Sequence, residues 1–215
     1  MDAVKNVNDV YTSIASDFDK TRFSQWIGVR LFLDTLPANS LLGDIGCGNG
    51  KYLSYRKDIN VHGTDICEPL IIIAKNKNES ANIIRANALM LPYRDKSFDN
   101  TISIAVLHHF TTIDERVKFL KELARITVGN IMISVWATEQ TDARKSKWRP
   151  IGPIGNGNND YIIPYMTTNR KETYDRYYHL FEKEEIINLC KNILTIQKIW
   201  YEKNNWYFIC TDVLT

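Results

Sequence analysis

The chain has 215 residues, 44% of them hydrophobic, and a formal net charge of +2 at pH 7. That content suits one domain, 1–215, with a full core, and no apolar stretch is long enough to span a bilayer. The slight positive charge permits a nucleic-acid partner without requiring one, and no signal peptide is read, so a cytoplasmic or nuclear protein is expected. Cys47, Cys67, Cys190 and Cys210 show no C-x-x-C pairing, so neither a zinc site nor a disulfide framework is expected.

Residues 3–20 carry Val4, Val7, Val10 (or Tyr11) and Ile14 at helical spacing. A polar stretch, DFDKTRFSQW, leads to a second helix over about 25–36 with Trp26, Val29, Leu33 and Leu36 on one face. Residues 1–38 thus read as a helical cap, with Tyr11 and Arg22 turned inward over a ligand.

Residues 41–50, LLGDIGCGNG, read as a buried strand, Leu41–Ile45, entering a glycine turn, with a helix over about 50–57. Gly46, Gly48 and Gly50 let the backbone turn sharply and approach a ligand closely. Asp44, two places before the first glycine, would repel a pyrophosphate but suits an ammonium or sulfonium group. A second strand, Asn60–Asp65, ends in a carboxylate placed to accept from two ribose hydroxyls, or alternatively to cap the helix over about 68–77.

Strand three, Asn82–Ala86, runs into Asn87–Ala88–Leu89, where an adenine edge would lie. Strand four, Asn100–Val106, follows the loop LPYRDKSFD and delivers His108 and His109. One of these histidines is expected to face the pocket and the other to bond to backbone. A helix over about 114–126 and strand five, Gly129–Ala137, come next.

Residues 138–170 lack strong periodicity and, extended to 180, read as a loop region on the substrate side. Arg144, Lys145, Lys147 and Arg149 around Trp148 suit either a phosphate-and-stacking surface or a plain solvated loop. After Arg176–Tyr177–Tyr178–His179 come a helix over about 182–191 and two strands, Ile193–Tyr201 and Trp206–Asp212, joined as a hairpin. The alternation predicts a three-layer α/β domain, its site at the carboxyl ends of the strands beside strand one.

The set Asp44-x-Gly46-x-Gly48-x-Gly50, Asp65, Leu91–Pro92, Ser97–Phe98–Asp99 and His108–His109 resembles the Rossmann-like class I methyltransferases. The resemblance implies a seven-stranded, mostly parallel sheet with a C-terminal antiparallel hairpin and helices on both faces. It implies S-adenosylmethionine as cofactor, held by Tyr11, Asp44, Gly46, Gly48, Gly50, Asp65, Ile66, Asn87, Ala88, Leu89, Ala105 and Val106.

A narrower resemblance rests on YTSIASDFDKTRFSQW, SIAVLHHFTTIDERVKFLKEL, VWATEQ and RYYHLF, and covers nearly the whole chain. It is to the eukaryotic methyltransferase that esterifies 5-carboxymethyluridine at the tRNA wobble position together with a small zinc-binding activator protein. This carries over onto Arg22, Trp26, His108, Trp136, Glu139, Gln140, Arg176, Tyr177, Tyr178 and His179. It implies Arg22, His108, Trp136, Arg176 and Tyr177 at the reacting centre, and RNA contacts from Arg144, Lys145, Lys147, Arg149 and His179. Ile83, Ile84, Leu89 and Met90 would meet the activator beside strand three. The chain departs from the family pattern in three places: Asn87 replaces a more usual aspartate, Ile163–Pro164–Tyr165 lacks a tryptophan after the proline, and the basic loop is short and diverged.

A carboxylate acceptor has a reference pKa of ~4 and is already an anion at neutral pH. It needs alignment and exclusion of water more than a general base. Arg22 or Arg176 would hold one of its oxygens, and Trp136 and Tyr177 would stack the base. Two alternatives stay open on the sequence: a small-molecule C- or O-methyltransferase of the quinone-biosynthesis type, and an inactive cofactor-binding scaffold.

Overall fold

The computed structural model describes residues 7–152 and 159–213. Two helices open the chain, α1 (Val7–Thr21) and α2 (Ile27–Asp34), and residues 3–6 of the first expected helix lie outside the described residues. Then come β1 (Leu41–Ile45), β2 (Asn60–Asp65), α3 (Glu68–Lys77), β3 (Asn82–Arg85) and β4 (Asn100–Ile104). A 3-10 turn at Leu107–His109 leads to α4 (Ile113–Ile126) and β5 (Ile131–Trp136). The second half holds α5 (Asp142–Lys145), β6 (Arg149–Pro150), β7 (Asp160–Met166), β8 (Thr173–His179), α6 (Lys183–Cys190), β9 (Leu194–Glu202) and β10 (Asn205–Asp212).

Seven strands form one sheet in the order β3-β2-β1-β4-β5-β10-β9. The first five are mutually parallel, and β10 runs antiparallel between β5 and β9, as the class I resemblance implied. The hairpin turns at Lys203 and Asn204, with φ of 47° and 67°, the left-handed conformation that a two-residue type I′ turn requires.

The pleat of β5 sorts its side chains onto two cores. Ile131, Ile133 and Val135 pack with Phe119, Leu120 and Leu123 of α4 and Ile186 of α6. Met132 faces the opposite layer, with Val29, Phe32 and Leu33 of α2 and Ile71 and Ala74 of α3. Each such buried side chain contributes roughly 1.5–3 kcal/mol. The α4 entrance is fixed by a capping box in which Thr112 Oγ1 accepts from the Glu115 amide and Glu115 Oε2 from the Thr112 amide, both at 3.2 Å.

Two expectations are corrected. Residues 50–57 form tight turns rather than an α-helix, with Leu53 N–H donating to the Gly50 carbonyl and Tyr55 N–H to that of Tyr52. Gly50 at φ +76° starts outside helical geometry, and Arg56 Nη1 ties the segment to the carbonyls of Leu33 and Leu36. The region 138–170 is not structureless either. It folds into α5 and a separate antiparallel sheet, β6-β7-β8, whose last strand packs against α1 and the 3-10 turn. Tyr161–Met166 alternates as a strand should, with Ile163 and Tyr165 buried. The Gly/Asn-rich residues 153–158 lie outside the described residues.

Candidate active site

A cavity of about 540 Å³ opens at the carboxyl ends of β1, β2 and β4, beside the point where the strand order reverses. One wall is the glycine turn. Gly46 has φ +82°, and a Cβ there would lie 2.2 Å from Val106 Cγ2, so the turn presses directly on the end of β4. At Gly48, also at positive φ, a Cβ would meet no protein atom within 4 Å. The backbone there borders open cavity, a cradle that any side chain would fill.

Two carboxylates, Asp65 and Asp44, line this space beside the glycine turn. Asp65 Oδ2 accepts from the Gly48 amide and Oδ1 from the Cys67 amide, both at 2.8 Å, which fixes the group while leaving further lone pairs to receive hydroxyls. Burial raises its pKa despite these bonds. Asp44 is almost wholly buried, and its Oδ2 has no hydrogen-bond partner among the described residues. Burial, reinforced by the charge of Asp65, pushes its pKa up to about 7. A buried carboxylate with an open oxygen is matched by a cationic donor.

Opposite stands a chain of hydrogen bonds. Arg176 Nη1 donates to the Tyr178 hydroxyl at 3.0 Å, and that hydroxyl lies 3.4 Å from the hydroxyl of Tyr11. His109 Nδ1 lies 3.1 Å from the Tyr177 carbonyl, which can only accept, so its Nε2 is the acceptor for Tyr11 at 3.1 Å. Burial and the neighbouring Arg176 cation push His109 down to about 3, with the backbone bond opposing them. The imidazole is therefore neutral and its basic nitrogen is engaged. Arg176 is buried, lies over the rings of Tyr165 and Tyr178, and leaves Nε without a partner.

These features fit S-adenosylmethionine. Asp44 would take its ammonium and Asp65 its ribose hydroxyls, while Ile66, Asn87, Ala88 and Leu89 line the region for the adenine. Asn87 Oδ1 accepts from the Leu89 amide at 2.9 Å, which directs its NH₂ group away from that turn.

The Methyltransferase domain family matches residues 43–130. A tRNA (carboxymethyluridine(34)-5-O)-methyltransferase of Schizosaccharomyces pombe is 33% identical over 224 aligned positions, covering 94% of each chain. The chain belongs to this family. An Arabidopsis thaliana protein of the same name is 44% identical over 150 residues, 68% of this chain and 37% of that one. A mouse protein of that name is 43% identical over 76% of this chain, which spans 25% of its length. The chain thus spans well under half of these two longer relatives. The fold is shared with a SAM-dependent methyltransferase of Methanosarcina mazei, at TM-score 0.73 and 20% identity over 86% of this chain and 98% of that one. It is shared too with a Haloferax volcanii methyltransferase solved in complex with the Trm112 methyltransferase activator, at TM-score 0.68 and 12% identity over 98% and 97% of the two chains.

Against the family's residue pattern, the structure divides the expected site. Tyr11, Arg22, Trp136 and Arg176 line the cavity, as do the other residues named for the cofactor, with the exception of Gly50. Gly50 packs instead against α3, where a Cβ would lie 2.9 Å from Ala74. Ala105, at φ 63°, and Val106 form the floor. His108 lies behind the wall rather than on it. It is fully buried, accepts from the Trp136 amide at 3.3 Å, and stacks on Tyr178 at 4.6 Å. Burial and the neighbouring cationic groups hold it well below the usual histidine range.

Strand pleating splits Arg176–Tyr177–Tyr178–His179 between two faces. Arg176 and Tyr178 reach the cavity, whereas Tyr177 and His179 turn the other way. The Tyr177 hydroxyl donates to Asp160 Oδ1 at 2.6 Å and accepts from Arg116 Nη2 at 3.1 Å. His179 bridges Asp160 and Glu185 at 2.6 and 2.7 Å, enclosed and out of reach of an RNA.

Of the basic cluster, Arg144 lies over Trp136 at 4.9 Å and Trp148 at 5.7 Å, held by Gln140 Oε1 at 2.9 Å. Arg149 is ion-paired with Asp175 on β8, and Lys147 is exposed. On β3, an edge strand, Ile83 is buried in the core but Ile84 is exposed, as is Met90 in the loop after it. Leu89 belongs to the cavity. Of the two histidines expected to divide between pocket and backbone, His109 is the one that lines the cavity, Tyr178 joins Arg176 there by the alternation along TYDRYYH, and Lys51 is a cavity residue that the sequence reading did not single out. Among the described residues no His, Cys, Asp and Glu group is placed to hold a metal ion.

Proposed function

We propose that this chain methylates the carboxylate of 5-carboxymethyluridine at the tRNA wobble position, using S-adenosylmethionine, as the catalytic subunit beside a small zinc-binding activator. The observation that carries this reading is a buried arginine, Arg176, which leaves its Nε unpartnered and lines a cavity whose histidine and tyrosine offer an acceptor no base. His109 is neutral and engaged, His108 is walled off, and burial keeps the Tyr11 phenol protonated. An acceptor that must lose a proton would find no base in these three groups, and Asp44 and Asp65 are taken by the cofactor, whereas a carboxylate with a reference pKa of ~4 needs none.

When bound, S-adenosylmethionine supplies a methyl group activated by its sulfonium. The protein's part is positioning. The Arg176 guanidinium holds one acceptor oxygen and leaves the other free, the Tyr178 and Tyr11 hydroxyls brace it, and the aromatic wall excludes water. Arg22 is less suited, since it lies at the rim and donates to its own neighbour's carbonyl. Trp136, with Trp148 and Arg144 stacked beyond it, offers the flat surface for an extruded base and its flanking nucleotide.

For the activator, Ile84 on the open edge of β3 and Met90 in the loop that follows are the available apolar contacts, at 36% and 75% exposure. The archaeal neighbour bound to an activator supports this assignment as a precedent of fold. The work belongs where tRNA is modified, in the cytoplasm or nucleus.

The test is methyl transfer from S-adenosylmethionine to tRNA bearing 5-carboxymethyluridine, with and without a zinc-binding activator, alongside small carboxylate and quinol acceptors. Product ester on the tRNA supports the reading. Turnover on the small acceptors alone overturns the substrate, and cofactor binding without any turnover marks a scaffold.

A further inference from the structure

The cavity contains two opposite charges that do not pair. Asp44 presents its unpartnered Oδ2, and Lys51, five residues after Gly46, lines the same space. Among the described residues no ion pair joins Lys51 to Asp44 or to any other carboxylate. The ammonium is held instead over two rings of the cavity wall, 4.7 Å from the centre of Trp26 and 4.9 Å from that of Tyr52. These rings attract the cation but leave it without an anion. Burial pushes Lys51 down to about 8, with Arg22 adding to the effect and Asp44 opposing it. A cation kept in so desolvated a place is unfavourable unless a negative group joins it.

We propose that Lys51 binds the carboxylate at the amino-acid end of S-adenosylmethionine, while Asp44 takes the adjacent ammonium. An α-amino acid carries both charges on one carbon, so its receptor needs an acceptor and a cation side by side yet not neutralising each other. Asp44 and Lys51 meet that requirement, and the open backbone at Gly48 leaves room between them and the ribose carboxylate Asp65. Lys51 is thus the residue that distinguishes an intact amino-acid tail from a decarboxylated one. This assignment rests on the cofactor reading above.

The experiment compares two ligands by calorimetry on the full chain. S-adenosylmethionine has the carboxylate, and decarboxylated S-adenosylmethionine keeps the sulfonium and ammonium but lacks it. Lys51→Met preserves length and ring packing while removing the charge, and Lys51→Arg restores a cation. The expected result is that Lys51→Met weakens S-adenosylmethionine about tenfold or more and decarboxylated ligand by less than about twofold. Lys51→Arg should recover most of the loss. Equal weakening of both ligands, or of neither, overturns the proposal, because Lys51 would then only shape the loop or do nothing there. A wild-type chain that binds neither ligand overturns the cofactor reading and this assignment with it.

Discussion

Arg176 Nη1 donates to the hydroxyl of Tyr178, two residues further along β8, at 3.0 Å, and its Nε is left open. The strand's period of two puts both side chains on the cavity face, so the arginine is braced there by a phenol. Arg176→Lys keeps the charge but loses the planar fork. Turnover on carboxymethyluridine tRNA should fall by about 100-fold, with cofactor affinity changed by less than about threefold. Steady-state kinetics and calorimetry separate the two. A parallel loss of cofactor binding would mean that Arg176 merely supports the wall.

The sequence carried most of the scaffold because local and global preferences agree there. The β2 and α3 boundaries, Asn60–Asp65 and Glu68–Lys77, coincide with those read from periodicity. Residues 50–57 depart from the helical reading because a tertiary tether, Arg56 to the carbonyls of Leu33 and Leu36, overrides a helical pattern. The RYYH block misled for a different reason. Its four residues read as one functional unit along the chain, but a strand presents alternate residues to opposite faces, so Tyr177 and His179 belong to the ion cluster with Asp160, Glu185 and Arg116. Lys51 was hidden because nothing local indicates that Trp26 and Tyr52 converge on it.

Gly46 and Gly48 both have positive φ, yet alanine should act differently at each. At Gly46 a methyl would collide with Val106, so Gly46→Ala is expected to cost roughly 2–4 kcal/mol of stability and to displace the loop. At Gly48 the space is open, so Gly48→Ala should cost only about 1 kcal/mol but still weaken the cofactor by filling its cradle. Thermal melts with and without S-adenosylhomocysteine test this. Equal melting losses for the two variants would contradict it.

His179 sits between Asp160 and Glu185, and although burial disfavours its charge, the two carboxylates outweigh burial and raise its pKa. A raised pKa in the folded state gives stability that is complete below about 6.5 and is lost as pH rises through the folded value. Because the cluster ties β7 and β8 to α4 and α6, the cavity wall should loosen with it. His179→Gln is therefore expected to lower the melting temperature more at pH 6 than at pH 9. A deficit that does not change with pH would show that the imidazole is uncharged in the folded protein.

Asp44 imposes the opposite demand on stability and function. Its pKa is pushed from the ordinary carboxylate range to about 7, so the folded chain retains a proton that the unfolded chain releases. Stability is then withdrawn as pH rises from about 4 to about 7, and the loss, on the order of 4 kcal/mol, persists above that. Asp44→Asn removes the buried charge, so without ligand it should melt higher than the wild type at pH 8 and close to it at pH 4. Cofactor binding should run the other way. In the wild type, affinity for S-adenosylhomocysteine should climb as Asp44 ionises towards pH 7, whereas Asp44→Asn should bind weakly throughout. Melting curves and calorimetry across this pH range test both halves. An Asp44→Asn chain that melts lower at pH 8 would make the carboxylate a structural contact, and the unpartnered Oδ2 would lose its meaning as a binding group.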